Sequence, residues 1–287
     1  MGNQNDIQKI VQETEKLFSV AKVNWSKSKE LVFQEKFAKL ADEPKTKVLW
    51  PREWVLQFSV AASVLLVIGL GAFALLYTKT IYTSSDQHLT AQLPDGSTVE
   101  MNAETTLRFH PYSWFYQRKI AFEGEGFFSV KKGRKFTVES SLGKTQVMGT
   151  SFNIFARDNA YRVFCKTGKV RVSNNANGSS VLLMPNQKTI IFDGTLSAPV
   201  FVVEPENILS WRNYIFSFDA TPFNEVIKEI ERQYGVSITS QEPITNTISV
   251  SFQKVPDVEK TLSIICKPLG YRFVRKSLDH YEILKNN

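Results

Sequence analysis

The run from Trp54 to Tyr77, WVLQFSVAASVLLVIGLGAFALLY, contains no charged residue. About 20 consecutive apolar residues suffice to cross a bilayer's hydrocarbon core, and a backbone in lipid must satisfy its own hydrogen bonds. The run therefore reads as one transmembrane helix over residues 54–77. Trp54 and Tyr77 stand at its ends, where amphipathic rings favour the headgroup level. A cleaved signal peptide would place a shorter apolar stretch near the N-terminus, whereas 53 residues come first here. A buried core helix of such length would carry a polar face. Lys36, Lys39, Lys45, Lys47 and Arg52 precede the run and only Lys79 closely follows it. Positive residues are retained inside, which predicts residues 1–53 in the cytoplasm and the chain beyond Thr78 exported.

The cytoplasmic head, residues 1–53, carries two amphipathic patterns. Ile7, Ile10, Val11, Thr14, Leu17 or Phe18, and Ala21 recur at helical spacing; a second helix, starting near Asn24 as N-cap and ended by Pro44, aligns Val32, Phe33, Phe37 and Leu40. Two short helices bury little apolar surface against each other, so these faces need a partner. They could also pack as a hairpin or lie on the membrane. A protein that accepts them in a groove is the preferred reading, with Ile10, Leu17, Phe33 and Phe37 as contact candidates.

Residues 78–88 read as a polar linker. Beyond it come alternating β-prone runs, among them Ser97–Asn102, Gln117–Phe122, Phe127–Lys131, Phe136–Ser140, Ser151–Ala156, Tyr161–Lys166 and Lys169–Ser173, which predict an all-β domain over residues 89–200. Leu93, Pro94, Asp95, Gly96 and Ser97 have the composition of a tight turn. From about residue 208 to 287 the pattern changes to a small α+β domain. Phe216-Ser217-Phe218 open a strand, and Thr221-Pro222 start a helix that Gly235 stops. Strands around 236–239 and 248–252 follow, then a helix capped by Asp257 and two last strands. The fold class expected is thus mixed: a short helical head, one transmembrane helix, an all-β domain and an α+β domain of two βαβ-like halves.

The formal charge of +7 is spread thinly, with ten Lys and Arg against eight Asp and Glu before Trp54 and twenty-five against twenty after Tyr77. No stretch interleaves clustered cations with aromatics, so direct nucleic-acid binding is not expected. Cys165 and Cys266 lack a CxxC or a partnering His and read as core residues; a disulfide between them is the alternative in an oxidising compartment. His88, His110 and His280 lie in no catalytic arrangement, and Glu123 and Glu125 are an acid/base pair only by strand parity. Neither turnover catalysis, a metal nor a cofactor is expected.

Several ordered pieces resemble FecR domains: Leu93-Pro94-Asp95-Gly96-Ser97, Met101-Asn102-Ala103, Phe122 to Val130 with Gly124 and Glu125, Val147 to Ile154 with Gly149, Thr150 and Phe152, and Thr167 to Val172. Lys135 departs from the pattern, since such domains often have Pro before the position of Phe136. The C-terminal region is similar to the short N-terminal domains of secretins and TonB-dependent receptors. The resemblance implies a single-pass inner-membrane anti-sigma regulator. Its head would hold an extracytoplasmic-function sigma factor, and its periplasmic part would receive a signal from the N-terminal domain of a TonB-dependent outer-membrane transporter, with Trp211, Phe216 and Phe218 as contact candidates. A structural envelope protein with one anchor is the rival. Gly149-Thr150 also matches the pair at which some FecR-family regulators cleave themselves, which a strained backbone and an activated hydroxyl would permit. The alternative is that Gly149 marks a β-bulge.

Overall fold

The computed structural model describes residues 4–20, 27–41 and 51–286. Helix α1 spans Gln4–Val20 and α2 spans Lys29–Ala41. The start of α2 is later than the sequence pattern indicates, because Ser28 Oγ accepts the Leu31 N–H at 3.3 Å and supplies the N-cap. Asn24 and Pro44 lie outside the described residues. Helix α3, Arg52–Leu76, is the apolar helix, and none of its most hydropathic window is buried.

The β domain contains β1 (Lys79–Thr83), β2 (Leu89–Gln92), β3 (Thr98–Met101), β4 (Thr105–Phe109), β5 (Arg118–Ser129), β6 (Phe136–Glu139) and β7 (Gly143–Val147). It continues with β8 (Ser151–Arg157), β9 (Ala160–Thr167), β10 (Val170–Asn174), β11 (Ser180–Leu183), β12 (Gln187–Phe192), β13 (Thr195–Leu196) and β14 (Val200–Phe201). One sheet runs β1-β4-β5-β6-β7-β10-β11 and the other β2-β3-β5-β8-β9-β12, with β13 and β14 both paired to β12.

Strand β5 belongs to both sheets. Its first half pairs with β4 and β6, its second with β3 and β8. The sequence pattern divides it in two, at Gln117–Phe122 and Phe127–Lys131; the glycines between are instead where a single strand changes sheets. Gly124 has φ +116°, and a Cβ there would lie 2.6 Å from the Thr105 Cα, so only glycine fits. Ile120, Phe122, Phe128, Phe152 and Tyr161 fill the space between the sheets, with Phe128 and Phe152 stacked at 5.0 Å. Each such side chain contributes about 1.5–3 kcal/mol on burial.

The expected linker over 78–88 is partly strand. Lys79–Thr83 pairs along its length with Thr105–Phe109, turning Thr83 into the domain. Only Tyr77 and Thr78 therefore separate α3 from the β domain.

In the C-terminal domain, α4 (Pro205–Leu209) and a 3-10 turn (Ser210–Asn213) lead into β15 (Ile215–Pro222), α5 (Phe223–Tyr234), β16 (Ser237–Ser240), β17 (Thr247–Gln253), α6 (Val258–Cys266), β18 (Tyr271–Ser277) and β19 (His280–Lys285). Gly235 ends α5 in the left-handed conformation, and Asp257 caps α6 by accepting the Glu259 N–H. The halves are not βαβ units. β15 pairs with β17 and β16 with β19, so the two strands flanking α5 enter different sheets, as do those flanking α6. One core explains this, since Phe216 and Ile248 from one sheet and Ile238, Tyr281 and Ile283 from the other all pack with α5 and α6. Cys165 and Cys266 are buried and free, in the β-domain and C-terminal cores respectively. Burial pushes their thiols up to about 11 and about 12.

Candidate functional site: a buried polar junction between two domains

Helix α5 is apolar on one side through Phe223, Val226 and Ile230, which enter the core. Its other side presents Glu225, Glu229, Arg232 and Gln233 to the β domain. Gln233 Nε2 donates to Asn102 Oδ1 at 2.6 Å and to Glu229 Oε1 at 3.0 Å. Asn102 Nδ2 in turn donates to Glu125 Oε2 at 2.9 Å and approaches Glu229 Oε1 at 3.5 Å. The other oxygen of Glu125 accepts from Asn153 Nδ2 at 3.1 Å, and Asn153 Oδ1 accepts from the Trp211 indole at 3.3 Å.

Both asparagines are fixed as donors toward Glu125, because each carboxamide oxygen is already taken. Two donors, one to each oxygen, favour the carboxylate. Burial, followed by the charge of Glu229, nevertheless pushes the Glu125 pKa up, opposed by Arg157 and the asparagines. Arg157 Nη2 donates to Ala103 O at 2.9 Å, while its Nε and Nη1 are buried without a partner among the described residues. Burial works against the charge of Arg157, with Glu229 and Glu125 supporting it.

Ion pairs surround this centre. Arg212 makes two bonds of 2.7 Å to Glu100 and lies 4.1 Å above the Phe127 ring. Arg162 pairs with Glu225 at 2.6 Å, and Asp158 with Lys228 at 3.2 Å and Arg232 at 3.3 Å. Lys254 pairs with Asp86. His88 stacks on Tyr214 at 4.5 Å and meets Gln233 at 3.3 Å; burial first holds its imidazole below the ordinary value. A cleft of about 1000 Å³ opens alongside, lined in part by Glu125, Trp211, Phe216, Glu229 and Arg232.

The network reaches β1. Thr83 Oγ1 donates to Asn102 O at 2.6 Å and accepts the Thr105 N–H at 2.9 Å. Thr105 Oγ1 donates to Glu125 O and accepts the Glu125 N–H, both at 3.1 Å. Contacts are thus continuous from the strand that follows α3, through Asn102 and Glu125, to α5.

Of the residues singled out in the sequence, Glu125 lies at the centre of this junction. Glu123 does not join it, being exposed opposite Thr106 while Glu125 is buried, so the two form no catalytic pair. Trp211 and Phe216 are correspondingly not free contact surfaces. Trp211 packs with Phe127, Phe164 and Leu209, and Phe216 belongs to the C-terminal core with Val226 and Ile230 of α5. Phe218 is half-buried against that core. Phe152 is a core residue.

Leu93 to Ser97 form the turn between β2 and β3. Gly96 has φ +76°, and Asp95 binds Arg118, accepting Nε–H at 2.7 Å. Burial opposes the ionised Asp95, but the Ser97 N–H and Arg118 outweigh it and hold the carboxyl below its ordinary value.

Gly149 and Thr150 lie in the crossover between β7 and β8, which belong to different sheets, so Gly149 is not a bulge within one ladder. Its φ is +151°, and a Cβ would meet the Lys132 Cα at 2.6 Å. Thr150 is held by two backbone bonds to Val130, and its hydroxyl donates to Lys169 O at 3.2 Å. In the head, Ile10, Leu17, Phe33 and Phe37 are each more than half exposed, with the two phenylalanines stacked at 4.2 Å.

Asn102, Asn153, Arg157, Glu229 and Gln233 escape a residue-by-residue search for chemistry. The available signal was the polar side of α5, an i, i+4 pair of Glu229 and Gln233 opposite a wholly apolar face.

The described residues thus combine one helix long and apolar enough to cross a membrane with a β sandwich joined by a buried polar junction to a small α+β domain. Residues 79–171 match the model of the FecR protein family, and residues 215–281 match that of the FecR C-terminal domain. The chain belongs to the FecR family of anti-sigma factors. Two crystal structures of a protein classed as an anti-sigma factor from Parabacteroides distasonis ATCC 8503 share the fold, with TM-scores of 0.66 and 0.65 at 27% identity. They cover 73% and 74% of this chain and 100% of their own. No protein of curated function matches the chain in sequence.

Proposed function

We propose that the chain couples an event at the envelope to transcription, with residues 1–53 in the cytoplasm holding an extracytoplasmic-function sigma factor. In this reading the domains beyond α3 are periplasmic and receive the signalling domain of a TonB-dependent outer-membrane transporter. The observation that carries the reading is the head: Ile10, Leu17, Phe33 and Phe37 project exposed apolar surface from α1 and α2. Such faces suit an amphipathic-helix partner, as the family membership leads one to expect. The basic residues before Trp54 support the orientation. With Trp211 and Phe216 buried, the receiving surface in this reading is an open edge of the two-stranded β15–β17 sheet, where main-chain pairing would suffice.

Deletion of residues 1–47 tests the reading against a purely structural envelope role. Transcripts of a discrete set of transport genes are expected to change in the deletion strain and to return with full-length protein. An unchanged transcriptome accompanied by the envelope phenotype of a full deletion would refute it.

A further inference from the structure

The strand register places one end of the first sheet beside the exit of α3. Lys79 pairs with Phe109, Phe109 with Ile120, and Arg118 with Phe136. The start of β1, the end of β4 and the starts of β5 and β6 therefore share that end. The 110–117 connection sits there and touches the helix: Tyr112 lies 5.5 Å from the Tyr77 ring and 6.4 Å from Phe73, and His110 Nδ1 lies 3.1 Å from Tyr77 O. Its rings are uncovered, Tyr112 being 60%, Phe115 79% and Tyr116 80% exposed.

A second connection lies alongside, Lys131-Lys132-Gly133-Arg134-Lys135. Arg134 lies 5.5 Å over the Phe115 ring. The loop's carbonyls turn inward to Arg118, which donates to Arg134 O at 2.6 Å and to Lys131 O at 3.0 Å. Its cationic side chains are exposed, and among the described residues none of the four pairs with a carboxylate. Clustered cations interleaved with aromatics, which no single stretch of sequence contains, are thus assembled from two loops.

We propose that this end of the β domain is a lipid-docking surface, with Tyr112, Phe115 and Tyr116 at headgroup depth and the Lys131–Lys135 loop on anionic headgroups. A bilayer is the partner because the patch is continuous with a helix of membrane-spanning length, and aromatic rings beside cations match the headgroup region. The proposal rests on α3 crossing the membrane. Docking fixes the β domain against the bilayer, so that a disturbance at the junction moves α3 instead of tilting a tethered body.

Full-length protein carrying Tyr116→Cys, Asn177→Cys or Ser63→Cys, labelled with a fluorophore and reconstituted in vesicles with and without anionic lipid, tests this. Cys165 and Cys266 are buried thiols and leave the introduced site to react. Asn177 lies in the β10–β11 turn at the opposite end of the sheet, and Ser63 within α3. Headgroup-depth lipid nitroxides are expected to quench the label at 116 severalfold more than that at 177. Changing all four loop cations to Glu should weaken the 116 contact by about fivefold or more per charge in anionic vesicles only. Equal quenching at 116 and 177, or quenching at 116 indifferent to charge reversal, overturns the proposal. Shielding of 116 from aqueous iodide without lipid quenching means protein covers the patch, and also overturns it. A label at 63 that nitroxides placed deep on the acyl chains fail to quench removes the span and the proposal together.

Discussion

Glu125 combines opposing demands: two amide donors call for a carboxylate, while burial and Glu229 resist one. Between the ordinary value of 4.5 and its raised native value, the native state holds a proton the unfolded chain has lost. Its contribution to stability is therefore complete below the ordinary value of 4.5 and is lost as pH rises through the raised native value. Asp95 acts oppositely, contributing above 3.8 and losing that contribution as pH falls through its lowered value. In thermal unfolding between pH 4.5 and 8, Glu125→Gln should flatten the alkaline decline of the wild type; an unchanged slope would exclude Glu125 as its source. Glu125→Ala strands the Asn102 and Asn153 donors and should cost about 2–4 kcal/mol.

Thr150 makes a second residue-scale test. The positive φ of Gly149 and the contact with Lys132 constrain the peptide that self-cleavage would use. The cleavage reading requires two fragments in immunoblots of doubly tagged wild type and Thr150→Ser, and only intact protein in Thr150→Ala. Intact wild-type protein throughout would remove the cleavage reading.

Among elements, the connection Ser210–Asn213 and helix α5 hold the C-terminal domain to the β sandwich. Arg212→Ala removes a bidentate pair and a ring contact, about 1–2 kcal/mol in a partly exposed setting. Trp211→Ala should cost about 3–5 kcal/mol as a buried aromatic. Limited proteolysis should find the 203–210 segment cut faster in both variants, and most in Trp211→Ala. Equal rates would mean that the junction does not depend on this connection.

The elements also mark what sequence can express. α3 and the turns at Gly96, Gly235 and Asp257 follow from local chemistry, which a window of residues contains. The single strand β5 does not, because its continuity through Gly124 depends on Thr105 approaching from another strand. β1 was hidden for a similar reason: Lys79–Thr83 is polar enough to read as linker until pairing with β4 turns Thr83 inward. The junction was half legible, since Asn102, Glu125 and Asn153 fall within the pieces that resemble FecR domains. Their shared purpose requires α5, more than seventy residues further along the chain.

For the molecule as a whole, the short passage from α3 into β1 and the bonds from Thr83 to Asn102 and Thr105 leave little slack between helix and junction. Physical contiguity of this kind permits coupling, and coupling energies establish it. The head is where any such coupling would be read. The most direct measurement is mass spectrometry of proteins that co-purify with the full-length chain from solubilised membranes, compared with Phe33→Asp/Phe37→Asp. An extracytoplasmic-function sigma factor should be recovered with the wild type and lost from the double variant, whose stacked aromatic pair is replaced by charge. Recovery of no sigma factor with the wild type, or equal recovery with both, would contradict the account.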